Sequence, residues 1–515
     1  MSSLHNTPFK FLGRWIHPTL TDSKNLKNVT TKVENLMKKI DVLALDGVKK
    51  TWIYQFGFLP YIAWDLMMYQ LKEATVMELE RTVNRYLKRW LGLARCADPS
   101  IIYRNRAGLN IVNIRHYVLA NRLNVEMSTA TCRDPLVRTV AKRRRDEEAD
   151  ATGWTPTKKM KTAVEDIEFR KKFMSNIRAG GDRRGLDKAV KINLNKKTVI
   201  KRAKELTDEE KIGKILQLSV QSKWYEWDEL INLDLKWKEV MFSFSPAMLK
   251  FLLNSIQDTL PDPVNLRRWK KTQEARCSLC GWKYCSQIHI LCGCKVALLQ
   301  GRISWRHDSL LTVMEKWVKA GLLASRKNPN PRKIVTAPGV QQFFVKAGDS
   351  MKKKSKKKTK TPAARDCWWN GAADWKILVD KRGEQYQIPP EIVCSPLRPD
   401  MCIYSLEAKS CLFVELTSPF EDNIAQWKIK KTEKYRGLIE TAKKNGWKAV
   451  LRTVEIGARG FVNMDSMKLF RLVGHSPKQC NGIRKELSIV AVRASYFIWL
   501  NRDNKEWIQP ARVIQ

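Results

Sequence analysis

Residues 398–419, RPDMCIYSLEAKSCLFVELTSP, contain two short apolar runs separated by a polar turn. Each run has the length of a strand and is rich in branched and aromatic residues, so the stretch predicts two consecutive β-strands. Asp400 opens the first strand, and Glu415 lies near the end of the second. If the two strands are neighbours, both carboxylates lie at one edge of a sheet, where they offer the hard oxygen ligands that Mg²⁺ prefers.

The sequence around this pair predicts the rest of an α/β domain. DWKILVD (374–380) and WKAVLRTVEI (447–456) are strand-like, whereas QWKIKKTEKYRGLIETAKKNG (426–446) has helical period and ends in Asn-Gly, a helix-stop signal. The order strand, turn, strand, helix, strand predicts a mixed sheet. We place this domain at residues 366–480 and expect a C-terminal helix at 481–515.

Residues 277–294, CSLCGWKYCSQIHILCGC, follow the pattern C-x2-C-x8-H-x4-C. The predicted ligands are Cys277, Cys280, His289 and Cys294. Four soft or borderline ligands at this spacing fit tetrahedral zinc, and a closed site of this kind is structural. Cys285 and Cys292 are outside this set, and either would be a ligand if the register of the motif differs. If the segment binds no metal, the cysteines are small buried thiols. A metal would order this segment and present Lys283 and Lys295 to nucleic acid.

The length and the charge pattern suggest several folding units. A chain of 515 residues has room for about two to four cores. We expect α+β organisation with a helical region at 1–130, a basic linker at 131–215, a helical connector at 216–265, a zinc knuckle with its following helix at 266–325, and a basic low-complexity linker at 326–365. Ser245 and Pro246 have the order of an N-cap and a first-turn residue.

The charge balance indicates a polyanionic partner. The chain has 95 Lys and Arg residues against 52 Asp and Glu residues, a formal net charge of +43. DNA, and also RNA, would offset this charge. No window of about eighteen apolar residues predicts a membrane span, and the N-terminus lacks the pattern of a signal peptide. We therefore expect a reducing compartment, in which clustered cysteines bind metal more often than they form disulfides.

A larger ordered set of motifs connects the cysteine segment to the strand pair. GRISWRHDSLL (301–311) follows the cysteines, and then come Arg398-Pro399-Asp400, Glu415, and a helix with Lys431 and Tyr435. This set resembles the C-terminal half of site-specific non-LTR retrotransposon proteins, which carry a zinc knuckle and a restriction-like endonuclease of the PD-(D/E)xK type. The simple motif has lysine where Thr417 stands here. In the family that lysine is displaced onto the next helix.

The resemblance implies roles for individual residues. Asp400 and Glu415 would hold catalytic Mg²⁺, Lys431 and Tyr435 would act beside them, and Glu421 would be a further metal-side acid. The implied DNA contacts are Arg306, His307, Asp308 and Arg398. Without the family, His307 would be interpreted as an ordinary core or surface histidine.

The N-terminal third adds a second resemblance. FKFLGRWI (9–16) is similar to the segment that follows the palm of retroelement reverse transcriptases, and the helical stretch behind it is similar to their thumb. An ordinary basic helical bundle is the alternative. Polymerisation needs paired aspartates holding two metal ions, but the chain contains no two adjacent aspartates. We expect that any reverse transcriptase is supplied by a longer element protein.

Three functions are consistent with these patterns. The first is a nuclear, Mg²⁺-dependent DNA endonuclease that nicks target DNA to prime reverse transcription. The second is a non-catalytic, zinc-dependent nucleic-acid-binding protein derived from a decayed element. The third is a nuclease selective for branched DNA. The ordered set of Asp400, Glu415 and Lys431 favours an enzyme over a binding protein.

Overall fold

The computed structural model describes residues 7–11, 14–19, 23–69, 71–103, 108–152, 201, 205, 209, 212–226, 230–231, 243–327, 368–369 and 372–510. The chain divides into two compact units, Met1–Glu226 with Leu235–Thr259 and Trp227–Asp234 with Leu260–Gln515. The linker predicted at 326–365 lies outside the described residues except for 326–327. None of the described helices is long and apolar enough to span a membrane.

The first unit is helical, as the apolar periodicity predicts. Its elements are a hairpin of β1 (Phe9–Phe11) and β2 (Arg14–Ile16), then α1 (Ser23–Asp41), α2 (Gly47–Ile53), α3 (Leu59–Met68), α4 (Glu73–Trp90), α5 (Ile114–Ala130), α6 (Pro135–Thr152), α7 (Lys223–Glu226) and α8 (Pro246–Ile256). In α4, Val76, Leu79, Val83 and Leu87 are buried at three- and four-residue spacing. The FKFLGRWI segment contributes the antiparallel β1–β2 pair.

Two differences from the predicted organisation occur at the edges of this unit. Helix α6 lies within the segment predicted as a linker. The predicted connector is divided between the units: α8 belongs to the first, and the following helix, Pro263–Arg268, belongs to the second. Ser245 caps α8 as predicted, because its side chain accepts a hydrogen bond from the Met248 backbone N–H and Pro246 occupies the first turn.

The second unit contains the predicted mixed sheet. Its elements are β3 (Leu230–Ile231), α9 (Pro263–Arg268), α10 (Lys295–Leu299), α11 (Arg302–Lys327), β4 (Lys376–Val379), β5 (Met401–Ser405), β6 (Ser410–Thr417), α12 (Ile424–Lys434), α13 (Arg436–Lys444), β7 (Lys448–Glu455), β8 (Val462–Asn463), α14 (Met467–Leu472) and α15 (Pro477–Leu500). The order β4-β5-β6-β7 is antiparallel up to β6 and parallel between β6 and β7. All four strands predicted from the sequence are confirmed.

Both faces of this sheet are covered. On one face, Met401, Val414 and Leu416 pack with α11, α14 and α15. On the other face, Cys402 and Phe413 form a second apolar cluster with Tyr435, which follows α12, and with Leu438 and Ala442 of α13. Because side chains alternate between the faces of a strand, even-numbered residues of β5 and odd-numbered residues of β6 lie on the α12–α13 side.

The C-terminal helix is part of the core of this unit. Helix α15 begins at a capping box, in which Ser476 and Gln479 exchange side-chain to backbone hydrogen bonds. Its buried residues Ile483, Leu487 and Ala491 belong to the same apolar cluster as Met401. The boundary predicted at residue 480 therefore falls inside a helix that packs on the sheet.

Two predicted helices are interrupted. The helix expected through residues 297–323 breaks between α10 and α11, where Gly301 has a φ of +79° that a residue with a Cβ adopts only at a cost. The helix expected at 426–446 breaks at Tyr435, which has φ −99° and ψ 3°. Its predicted end is confirmed, since α13 stops at Lys444 and Gly446 has a φ of +81°.

Candidate functional site

The four predicted zinc ligands lie together in the second unit. The ligand atoms of Cys277, Cys280, His289 and Cys294 are all within 4.8 Å of one another. The Sγ atoms of Cys277 and Cys294 are 3.9 Å apart, and Cys280 Sγ lies 3.3 Å from His289 Nε2. In a tetrahedral site with Zn–S bonds of about 2.3 Å, two sulfurs are separated by about 3.8 Å. The cluster can therefore hold a metal such as zinc.

Local backbone structure sets this geometry. The first two ligands lie on a tight turn, in which the Gly281 N–H donates to the Cys277 carbonyl and Gly281 has a φ of +73°. The other two flank a short π-helical turn, His289–Gly293. Burial lowers the pKa of His289, which favours the neutral imidazole that a metal requires.

The two remaining cysteines are placed outside the set of four. Cys285 is buried, and its backbone N–H donates to the Ala275 carbonyl. The Cys292 Sγ lies 3.5 Å from Arg306 Nη2. The close four-residue cluster thus contains the ligands of the predicted register and neither alternative cysteine.

Three carboxylates lie at one edge of the sheet: Asp380 directly follows β4, Asp400 directly precedes β5, and Glu415 lies in β6. The β4–β5 register pairs Val379 with Met401, and the Asp380 N–H donates to the Asp400 carbonyl at 2.8 Å. The β5–β6 register pairs Met401 with Val414, so the next pair is Asp400 and Glu415. Directly paired residues of antiparallel strands share a face. We call Asp380, Asp400 and Glu415 the carboxylate row; it lies on the α12–α13 side of the sheet.

Asp400 and Glu415 differ in how their oxygens are used. Asp400 Oδ2 accepts a hydrogen bond of 2.6 Å from the Leu416 N–H. Glu415 is almost completely buried, with 3% of its side chain exposed. Its Oε1 accepts from Lys431 Nζ, but its Oε2 is buried and accepts no hydrogen bond. Burial, and then the charge of Asp400, raise the pKa of Glu415. A buried oxygen without a donor is costly unless a cation offsets it.

Lys431 and Tyr435 reach this row from the end of α12. Lys431 forms an ion pair with Glu415. The helix therefore supplies an amine, whereas Thr417, the residue two positions after Glu415, has none. The Tyr435 hydroxyl donates to the Arg398 carbonyl at 3.1 Å and accepts from Lys434 Nζ. The helix break at Tyr435 sends its ring into the apolar cluster beneath the row.

His307 contacts the row from α11. Its Nε2 lies 3.4 Å from Asp400 Oδ2 and 3.3 Å from the Leu416 carbonyl, and its Nδ1 lies 3.2 Å from Asp308 Oδ1. Because both ring nitrogens face acceptors, the ring is held as an imidazolium. Burial alone would lower the pKa of His307, but hydrogen bonds and charges from Asp308 and Asp400 raise it to about 10.

Arg306 has a different role from the predicted DNA contact. Its side chain is fully buried, so it does not present its guanidinium to DNA in this structure. Its Nη1 donates to the Leu291 carbonyl at 3.0 Å and to Ser495 Oγ at 3.1 Å, and its Nη2 donates to the Ser418 carbonyl at 2.9 Å. Arg306 therefore ties the cysteine–histidine segment to the end of β6 and to α15.

Glu421 is likewise not available as a metal-side acid. Its side chain is completely buried and accepts two hydrogen bonds of 2.6 Å from Arg459, one from the backbone N–H and one from Nε. A Cβ on Gly457 would lie 2.3 Å from Glu421 Oε1, which shows how closely the following turn is packed. Both carboxylate oxygens are used inside the protein, so the role of Glu421 is to hold the turn after β7.

The remaining predicted nucleic-acid contacts are accessible. Lys283 and Lys295 are exposed in and directly after the cysteine–histidine segment. Asp308 and Arg398 are partly exposed, with 26% and 36% of their side chains accessible. Arg398 Nε lies 3.8 Å from Asp380 Oδ2. Each acid of the carboxylate row thus has a basic neighbour: Arg398, His307 or Lys431.

Asp380 was not among the predicted site residues. The sequence places it at the end of DWKILVD, where an aspartate ordinarily marks the end of a strand. Only the register of β4 against β5 brings it beside Asp400.

Comparison with protein-family models gave no match for this chain, and comparison with curated proteins gave none either. The function of the chain is therefore inferred from the geometry of the site.

Proposed function

We propose that the chain is a divalent-metal-dependent DNA endonuclease, with Asp400 and Glu415 as metal ligands and Lys431 as the amine beside the reacting phosphate. The observation that carries the proposal is the unsatisfied, buried Glu415 Oε2 next to Asp400. The two acids are cross-strand neighbours, and the site is partly open, since 16% of Asp400 and 22% of Lys431 are exposed. The sheet order, with helices on both faces, is the arrangement expected of a restriction-like domain.

The residues around the site have separate tasks in this mechanism. The Leu416 N–H and the His307 ring fix the orientation of Asp400, while Lys431 fixes Glu415. The Lys431 ammonium is the group that would stabilise the negative charge developing on a phosphodiester during in-line attack. A bound Mg²⁺ would lower the pKa of its water and so supply the nucleophile at neutral pH.

The wider biological role rests on the resemblance to non-LTR retrotransposon proteins. In that role the chain acts in the nucleus, nicks target DNA, and works with a reverse transcriptase supplied by a longer element protein. The cysteine–histidine segment, with exposed Lys283 and Lys295, binds DNA or RNA beside the nuclease.

The direct test is nicking of supercoiled plasmid by the full chain with Mg²⁺. We expect the wild type to nick, Asp400→Asn and Glu415→Gln to lose at least 100-fold in rate, and all three to bind DNA equally. Glu384→Gln removes an exposed carboxylate near the site and is the matched control. Nicking by Asp400→Asn at the wild-type rate would refute the assignment of the site.

One observation favours the non-catalytic alternative. Each acid of the carboxylate row has a basic neighbour, which is also the pattern of a stabilising ion-pair row. A wild-type protein that binds DNA but nicks neither plasmid nor branched substrates would support this binding function. Nicking of four-way junctions in strong preference to linear duplex would instead identify a nuclease selective for branched DNA.

A further inference from the structure

Helix α12 carries an exposed strip of aromatic and basic side chains. Ile424 is the buried residue of this helix, whose residues are all described. Trp427 is 37% exposed, and Lys430 and Lys434 are exposed as well. Residues three and four positions apart are neighbours on the surface of a helix, so these three side chains are contiguous. We call Trp427, Lys430 and Lys434 the α12 strip.

The α12 strip adjoins the proposed endonuclease site. Trp427 precedes Lys431 by four residues, which places their Cβ atoms about 5–6 Å apart, and Lys431 forms an ion pair with Glu415. At the other end of the strip, Lys434 Nζ lies 3.0 Å from the Tyr435 hydroxyl. A phosphate held at Lys431 therefore brings its own nucleotide, or the next one, within reach of the Trp427 ring.

The strip combines the two features that bind single-stranded nucleic acid, positive charge and an aromatic ring. Lys430 Nζ lies 4.9 Å from the centre of the Trp427 ring, and Lys434 Nζ lies 4.7 Å from the centre of the Tyr435 ring. A contact with a ring does not neutralise an ammonium, so both lysines keep their charge for phosphates. In a paired duplex the neighbouring base pairs cover both faces of each base. Trp427 can therefore stack only on a base that has left the duplex.

We propose that Trp427 is a specificity-determining residue, which stacks on an unpaired base beside the scissile phosphate while Lys430 and Lys434 bind the adjoining phosphates. This inference rests on the proposed endonuclease function and names its substrate class, DNA with unpaired nucleotides at the cut. When the base stacks, the Lys430 ammonium exchanges the Trp427 ring for a phosphate. The positive strip and the polyanionic strand are complementary in charge, which favours DNA over a protein partner.

The test compares the nicking of two labelled DNAs by the zinc-loaded full chain with Mg²⁺. Both contain a sequence that the protein nicks in supercoiled plasmid; one is fully paired, and the other has a short unpaired bubble at the nick. We expect the wild type to nick the bubble at least about tenfold faster, and Trp427→Ala to lower this ratio to less than about threefold. Trp427→Tyr keeps an aromatic ring and should keep the ratio.

Ile429→Ala is the matched control. Ile429 is 65% exposed on the same helix, but it lies two residues from both Trp427 and Lys431 and so faces neither, and its substitution should keep the ratio. Lys430→Gln and Lys434→Gln should each lower the salt slope of DNA binding by about one, because each removes a phosphate contact. This slope is measured with Asp400→Asn in the same chain to prevent cleavage.

The outcomes separate this inference from the proposed function. A wild type that nicks both DNAs equally, or a Trp427→Ala protein that keeps the ratio, overturns the role of Trp427 and leaves the α12 strip as a surface for a protein partner. The endonuclease site stays in place in either case. A wild type that nicks no DNA overturns both proposals. If Trp427→Ala fails to fold, as circular dichroism would show, Trp427→Met decides: a preserved ratio with this large, non-aromatic side chain excludes stacking.

Discussion

The charged residues around β5 and β6 divide into those that face the site and those that hold the fold. Asp400 lies beside His307, and Glu415 lies beside Lys431, at the same edge of the sheet. Arg306 and Glu421 were expected to act in the site, but both are buried and hydrogen-bonded to other parts of the protein. The sequence shows which residue types are present, but burial is a property of the assembled unit and is not visible in a local motif.

His307 makes stability depend on pH. Its pKa is raised from 6.5 to about 10, so its contribution to folding is complete below pH 6.5 and is lost as the pH rises to about 10. One pKa unit corresponds to about 1.4 kcal/mol, and water screens the exposed quarter of the ring, so we expect a loss of about 3 kcal/mol. Urea unfolding of the wild type and of His307→Gln as a function of pH, without added Mg²⁺, measures this loss in the free energy of unfolding. An identical pH profile for both proteins would contradict the imidazolium assignment.

The Glu421–Arg459 pair should behave as a buried structural pair. Glu421→Gln removes the carboxylate that lies 2.6 Å from Arg459 Nε and leaves the buried guanidinium with the more distant Asp422 carboxylate, 3.9 Å away, so we expect the free energy of unfolding to fall by about 3–5 kcal/mol. Glu384→Gln, at an exposed position, should change it by less than about 0.5 kcal/mol. Chemical denaturation at neutral pH gives both values. A Glu421→Gln protein as stable as the control would restore Glu421 as a candidate for the site.

At the level of helices and strands, the sequence predicts which elements exist, and of which type, better than it predicts where a helix is interrupted. The four strands follow from short, branched, apolar runs, and the Asn-Gly stop correctly ends α13. The breaks at Gly301 and Tyr435 were missed, because helical periodicity continues through both positions. Tertiary contacts fix both breaks. The ring of Tyr435 enters the apolar cluster under the sheet. Helix α11 starts where Arg306 can donate to the Ser418 carbonyl at the end of β6.

Arg306 should make the metal cluster and the nuclease sheet respond together. Because one guanidinium bonds to the cysteine–histidine segment, the end of β6 and α15, removal of zinc should loosen the neighbourhood of the carboxylate row. We expect chelation of zinc to accelerate amide hydrogen exchange at Leu416 and Ser418 by at least tenfold, as measured by mass spectrometry. Arg306→Met should show fast exchange there even with zinc bound, whereas exposed Lys295→Met should not. Unchanged exchange after chelation would mean that the two sites are independent.

For the molecule as a whole, the compact units are larger than the regions predicted from the sequence. The cysteine–histidine segment with α11, the sheet and the C-terminal helix α15 were expected as three successive regions, and the structure places all of them in one compact unit. Composition marks charged segments well, yet it does not show which helices pack on the same sheet. The carboxylate row has the same limitation, since only strand register places Asp380 next to Asp400.

The net charge of +43 predicts strong dependence of nucleic-acid binding on salt. Lysine and arginine contacts to phosphates release counterions, so a protein with about 6–10 such contacts loses about 10³–10⁵ in affinity between about 50 and 200 mM salt. Fluorescence anisotropy with labelled duplex and the Asp400→Asn protein, which should not cleave it, measures this slope. A change of less than tenfold over that range would indicate that few basic residues contact phosphate.

Arg302, at the start of α11, gives the residues after α15 an unexpected importance. Its guanidinium is fully buried and donates to the carbonyl oxygens of Asn501 and Asn504, while its plane lies over the Trp507 ring. A truncation after Leu500 would remove both carbonyl acceptors and the Trp507 ring, and would leave the buried guanidinium with the Gln300 Oε1 acceptor, 2.7 Å from its Nε. Removal of residues 501–515 should therefore destabilise the protein as severely as a mutation in its interior.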